Sequence, residues 1–190
     1  VDLNHPDNSD HVTDHNGNSY IDAGDLLSDG DWEDGEDTDG NGKIDDLVGW
    51  DFVNNDNDPY DDHRHGTHVA GIIGARGDNA TGVTGVNWAT SILPLKFLDE
   101  HNKGATSAAI HAVNYATSLQ ASSAGNIRVL NNSWGGLGGY NANLRAAIST
   151  AATNEMLFVA AAGNGNVLGR GIDLDTDDQA FYPAGYDLDN

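Results

Sequence analysis

Two sets of residues in this 190-residue chain have the types and spacing to do chemistry. The first is His65-Gly66-Thr67-His68, which opens an apolar helical pattern with Val69, Ile72 and Ile73 on one face. Imidazole is the side chain best suited to move a proton near neutral pH, and a helix start can fix where it sits. Two histidines three apart also suit a metal pair or a solvated turn, and spacing alone does not choose. The second set is a pair of Asp-rich loops. From Asp37 through Asp39 and Asn41 to Asp45, oxygen side chains fall at positions 1, 3, 5 and 9, with Gly42 at position 6 and Ile44 at position 8. Ca2+ takes six to eight oxygens, and this alternation about a glycine turn wraps them around one point. Position 12 is Val48 rather than an acid, with Asp46 as the substitute, and Lys43 at position 7 completes the candidate ligands. A looser copy runs through Asp14, Asn16, Asn18, Asp22 and Asp25. For both loops the competing reading is a polar surface turn with no ion.

The stretch from His65 to Ala75, HGTHVAGIIGA, resembles the histidine motif of the subtilisin-like serine proteases, and two later stretches resemble further landmarks of that family in the right order. In Val129 to Gly136 (VLNNSWGG), the resemblance makes Ser133, Trp134 and Gly135 an extended edge that binds the substrate backbone by strand addition. In Phe158 to Asn166 (FVAAAGNGN), it makes Asn164 the oxyanion-hole asparagine, a neutral donor aimed at the oxygen that becomes negative. It implies that Leu98 to Gly104, including Asn102, Lys103 and Gly104, forms a second edge across the substrate. Ala160, Ala161, Ala162 and Gly163 would line one wall of a roomy apolar pocket for the residue before the scissile bond. A third calcium site is implied at Asp7 with Gly77, Asn79, Thr81 and Val83. The loop is about one residue longer than the common form, so Asp78 is the alternative to Asn79. His68 is expected to be structural, pointing away from His65.

In this family the triad aspartate lies in an Asp-Thr-Gly or Asp-Ser-Gly turn just before a segment like Val1 to Asp7, and the serine in Gly-Thr-Ser-Met-Ala. Neither sequence occurs here, so His65 is the one triad member expected in the chain. The resemblance implies an α/β fold: a subtilisin-like doubly wound parallel sheet, truncated at both ends. Residues 1–190 would be one partial peptidase domain, with residues 8–62 an Asp/Gly-rich calcium-loop insertion. Three functions fit: a fragment of an endopeptidase, inactive alone; a working enzyme whose aspartate and serine come from elsewhere; and a non-catalytic calcium-binding module that binds peptides.

The scaffold is read from periodicity. Helical patterns span His65 to Ala75, Thr106 to Ser118 (Ile110, Val113 and Tyr115 spaced for one face) and Asn141 to Thr153. Strand patterns span Ser91 to Leu98, Arg128 to Asn132 and Met156 to Ala162. Alternating strands and helices imply a parallel sheet with right-handed crossovers. Pro94 within the first strand is tolerable at an edge. A sheet cut before its last strands would expose an apolar edge, so self-association is expected.

Charge narrows the partners. Thirty acidic residues against eight Lys plus Arg give a formal net charge of −22, which argues against nucleic acid or an anionic membrane as partner; the resemblance implies a peptide or protein substrate. Residues 1–62 hold 20 of the acids and a single base, Lys43. With few large apolar groups there, bound Ca2+ is expected to be needed for that segment to order. Cysteine is absent, so no disulfide contributes. There is no apolar run of membrane length and no leader pattern. An extracellular location follows from the resemblance and the calcium loops alone.

Overall fold

The computed structural model describes residues 34–122, 126–165, 171, 173 and 180–188. The chain divides into two compact units, Val1–Ala108 and Ala109–Asn190. The loop through Asp14, Asn16, Asn18, Asp22 and Asp25, together with Asp7, lies outside the described residues.

The first unit contains β1 (Trp50–Asp51), α1 (His65–Gly74) and β2 (Leu95–Lys96), and α2 (Thr106–Ala121) starts at its end. β1 and β2 pair in parallel, Trp50 opposite Leu95. Trp50 and Asp51 are 5% and 1% exposed, so they are interior residues of the fold. Both fall within residues 8–62, the span expected as a calcium-loop insertion. A charge-rich flank hid the strand, because one tryptophan beside an aspartate shows no period. β2 is also shorter than the expected run from Ser91 to Leu98. Proline has no N–H for a ladder, and the Pro94 carbonyl instead accepts from the Trp50 amide at 3.2 Å. Gly49, at φ 114, is required there, since a Cβ would stand 2.0 Å from that carbonyl oxygen.

The far end of α1 is closed by the loop after it. Amides of Gly85, Val86 and Asn87 donate to the carbonyls of Ala75, Ile72 and Ile73 at 2.8, 3.0 and 3.0 Å. These satisfy groups that a helix C-terminus leaves open.

The second unit holds most of α2, then β3 (Val129–Asn132), β4 (Gly136–Leu137), α3 (Ala142–Thr153), β5 (Leu157–Ala160) and β6 (Phe181–Tyr182). β3 and β5 are parallel, with Val129 opposite Leu157 and Asn132 opposite Ala160. Asn141 caps α3, its side-chain oxygen accepting from the amides of Asn143 and Leu144. The spacing of Leu144, Ala147, Ile148 and Ala151 puts all four on one helical face, and they pack with Val113, Met156 and Phe158 into the core. Strand alternation sends Val129, Leu157 and Val159 the other way, where they are 53%, 49% and 43% exposed.

The expected helices hold, with α2 running three residues past Ser118. Parallel pairing also holds, for β1 with β2 and β3 with β5. One doubly wound sheet does not appear among the described residues, which instead form three two-stranded sheets. The third, β4 antiparallel to β6, was not expected: Gly136 and Leu137 carry no strand pattern.

Candidate functional site

His65 is the first residue of α1 and is half-buried. The residue at the helix cap, Arg64, has φ 80 and makes no side-chain cap. Asp61 does that work from three residues upstream. Its carboxylate accepts from the amides of His63 at 3.0 Å, Arg64 at 2.9 Å and Thr67 at 2.6 Å. Burial pushes the Asp61 carboxyl up, but hydrogen bonds from Thr67 and His63 outweigh it and hold its pKa below the usual carboxylate value. An anion here also meets the positive end of the helix dipole. Sequence reading missed Asp61; an acid just ahead of a helix start was the available signal. His68 is exposed, and its amide makes the first helical bond, to the Arg64 carbonyl at 3.0 Å.

A buried ion pair ties the turn before α1 to the strands. Lys96 Nζ lies 2.7 Å from Asp51 Oδ2 and 3.2 Å from Asp62 Oδ2. Desolvation would lower the Lys96 pKa; the two carboxylates outweigh it, so the pKa is raised. Asp51 also accepts from the amides of Val53 at 2.6 Å and Asn54 at 3.1 Å.

The loop from Asp37 folds back on its own side chains. Asp37 accepts from the amides of Asn41 and Gly42 at 3.0 and 2.8 Å. The Asn41 side-chain amide donates to Asp39 at 2.9 Å and Asp46 at 2.8 Å, while its oxygen accepts from the Lys43 amide at 2.8 Å. Asp45 stands at φ 52, with one oxygen accepting from Gly35 and the other enclosed without a hydrogen-bond partner. An orphaned carboxylate oxygen in a loop rich in carboxylates fits a hard cation. Among the described residues, no three His, Asp or Glu side chains stand close enough to form a metal set by themselves. In the later loop, positive φ at Asp78, Ala80 and Gly82 alternates with Asn79 and Thr81. The Asn79 side-chain oxygen accepts from the Thr81 amide at 3.1 Å. Gly77 is buried beneath Trp88, whose ring would stand 2.3 Å from a Cβ, and Val83 is exposed.

Asn102, Lys103 and Gly104 are exposed and follow a turn at Asp99. The Asp99 amide donates to the Lys103 carbonyl, and the Asp99 carboxylate accepts from the amides of His101 and Lys103, each at 2.9 Å. These donors hold the Asp99 pKa down, the Lys103 amide most of all.

The remaining expected substrate residues sit in the second unit. Ser133, Trp134 and Gly135 follow β3 outside its ladder. The Asn131 side-chain amide donates to Ser133 Oγ at 3.0 Å, and Trp134 Nε1 donates to Asn132 Oδ1 at 3.1 Å. Ala160 ends β5 and packs on the core, whereas Ala162 and Gly163 are exposed. Asn164 is exposed, between two glycines at φ 95 and φ 83. Gly135 and Gly163 come together on one side chain, the ring of Phe181.

A family profile described as Peptidase_S8, Subtilase family, matches residues 1–188. A relative named subtilisin-like protease 1, from Plasmodium berghei (strain Anka), is 34% identical over 164 residues, covering 86% of this chain and 24% of the relative. Thermitase of Thermoactinomyces vulgaris is 39% identical over 123 residues, covering 65% of this chain and 41% of that protein. Cell wall-associated protease of Bacillus subtilis (strain 168) is 39% identical over 123 residues, covering 65% and 13%. The chain thus spans about a quarter of the Plasmodium berghei protein and under half of thermitase. Among solved structures, one described as a cold adapted subtilisin-like serine proteinase superposes with a TM-score of 0.53 at 36% identity, covering 62% of this chain and 39% of that one.

Proposed function

This chain belongs to the subtilase family over residues 1–188, and from that membership we propose that it is part of a serine endopeptidase that hydrolyses peptide bonds. A serine hydroxyl attacks the peptide carbonyl while His65 takes its proton, then returns it to the leaving amine. Asn164 and a backbone amide hold the oxyanion. Ser133 to Gly135 and Asn102 to Gly104 flank the substrate backbone, and Ala160 to Gly163 line the pocket for the residue before the scissile bond. The attacking serine and the triad aspartate come from outside these 190 residues. The observation that carries the reading is His65 at the first residue of α1, its backbone turn clamped by Asp61.

Calcium is part of the proposal. Asp37, Asp39, Asn41, Lys43, Asp45 and Asp46 would hold one ion, and Asp7, Gly77, Asn79, Thr81 and Val83 another. Asp14, Asn16, Asn18, Asp22 and Asp25 would hold a third. Each ion offsets two negative charges in a segment of 20 acids and one lysine. We place the protein outside the cell, in keeping with the calcium sites. Among the described residues no helix is long and apolar enough to cross a membrane. The exposed face of Val129, Leu157 and Val159 supports self-association of the chain.

The test is casein hydrolysis by the protein that carries this segment. Turnover that a serine-directed fluorophosphonate blocks and His65→Ala abolishes is the expected result. Turnover insensitive to both sinks the reading. The 190-residue chain by itself is expected to show none, because loss of triad members leaves only about 10³–10⁴-fold acceleration over water. The second reading, a calcium-binding peptide module without catalysis, rests on one observation: no Gly-Thr-Ser occurs in the chain. Peptide binding without turnover by the full protein would select it.

A further inference from the structure

The small residues Ala160 to Gly163 suggest a broad pocket, yet one aromatic ring stands where that breadth would be. A Cβ built on Gly135 would lie 2.3 Å from Phe181 Cε1 and 2.6 Å from its Cζ. One built on Gly163 would lie 3.3 Å from Cε2 and Cζ of the same ring. The ring therefore touches both strips, the edge that follows β3 and the wall that follows β5. An aromatic slab wedged between two backbones leaves no room for a second one.

The ring is also anchored. Phe181 and Tyr182 form β6, opposite Leu137 and Gly136 of β4, and successive side chains of a strand point to opposite faces. Tyr182 is held on its face by Tyr140 and Tyr186, with ring centroids 5.7 and 4.7 Å away. Tyr186 in turn is bound to the start of α3, its hydroxyl donating to the Asn141 carbonyl at 2.9 Å. The Phe181 carbonyl accepts from the Gly185 amide at 2.7 Å. The backbone bearing the ring is fixed from both sides, so a substrate cannot readily push it aside.

We propose that Phe181 is a specificity-determining residue that closes the floor of the pocket between Gly135 and Gly163, restricting the residue before the scissile bond to small side chains. The proposal rests on the endopeptidase reading for the identity of the two strips. It would select peptides with Gly, Ala or Ser at that position and reject Leu, Phe and Tyr.

The experiment uses the 190-residue chain and labelled product-type tetrapeptides, identical but for a C-terminal Ala or Phe, with affinity read by fluorescence anisotropy. The parent chain should bind the Ala peptide at least about tenfold more tightly than the Phe peptide, the lower end of what pocket fit discriminates. Phe181→Ala should remove or invert that preference by gaining affinity for the Phe peptide. Where circular dichroism shows the alanine form unfolded, Phe181→Leu keeps an apolar side chain on β6 and should narrow the preference part-way. Equal binding of both peptides by the parent, unchanged by either variant, overturns the role of Phe181 and leaves the peptide site standing. Failure of every chain to bind either peptide overturns the site itself, and the proposal with it.

Discussion

Replacing Lys96 with methionine probes the clamp between the strands and the turn before α1, and its effect can be worked from the geometry. Lys96 Nζ and Asp51 Oδ2 are 2.7 Å apart, with side-chain exposures of 10% and 1%. At an effective dielectric of 20 the gross attraction at that distance is about 6 kcal/mol. Desolvation of both ions offsets most of it, so the informative quantity is the cost of breaking the pair, ~3–5 kcal/mol for a buried one. Asp51 keeps donors from Val53 and Asn54 when the lysine is gone, which places the expected loss near the lower end, ~3 kcal/mol. For a chain of this size that is a fall in Tm of about 6–12 °C. Asp62, 36% exposed and 3.2 Å from Nζ, is a surface partner, and Asp62→Asn should cost only ~0.2–1 kcal/mol. The pH dependence has a definite sign. A raised lysine pKa means that the pair's stabilisation is complete below the unfolded value of 10.5 and is lost as pH rises through the folded one. The gap between parent and Lys96→Met should therefore shrink with pH above 10.5. Thermal melts followed by circular dichroism measure all three chains. Equal losses below 1 kcal/mol for both variants, or a gap that does not shrink in alkali, would refute a buried pair.

Asp61→Ala should cost about 1 kcal/mol, the worth of an N-terminal cap, and speed hydrogen exchange at the Thr67 amide; unchanged exchange there would count against the clamp. Because the Asp61 pKa is depressed, its contribution is present above 3.8 and fades as pH falls through the folded value, so parent and variant should converge in acid. Chelation of calcium should lower the Tm and open the Asp34 to Asp58 region to proteolysis before Arg128 to Gly163. With ligand at a hundredfold excess over Kd, each site stabilises by ~2.7 kcal/mol. Asp39→Ala should reproduce part of that loss, and a melting curve unmoved by chelator would leave the loops as solvated turns. Sedimentation across micromolar concentrations should show association that Val159→Lys, on the exposed face of β5, weakens; a sharp monomer peak from the parent chain would contradict it.

Local chemistry made α1, α3 and β5 legible without a structure. Val69, Ile72 and Ile73 repeat at helical spacing, Asn141 is a strong cap ahead of an apolar stripe, and Met156 to Ala162 is an apolar run of strand length. His65, Ser133 to Gly135 and Asn164 were legible for a different reason, as short stretches that resemble a known family in order. What the sequence could not carry was pairing between distant segments. Trp50 becomes a strand only because Leu95 lies beside it, and the acids around it, Asp51 included, mask a single apolar residue. Asp51 reads as one more carboxylate among 20 until burial leaves it facing Lys96, 45 positions away. Asp61 gains its role only when the chain turns back and presents three amides to it. Phe181 is an ordinary strand aromatic in one dimension; the antiparallel pairing of β6 with β4 sets it against Gly135 and Gly163. Periodicity and caps are local free energies written along the chain, whereas burial, ion pairing and ring contacts depend on which segments meet, and only the tertiary fold decides that.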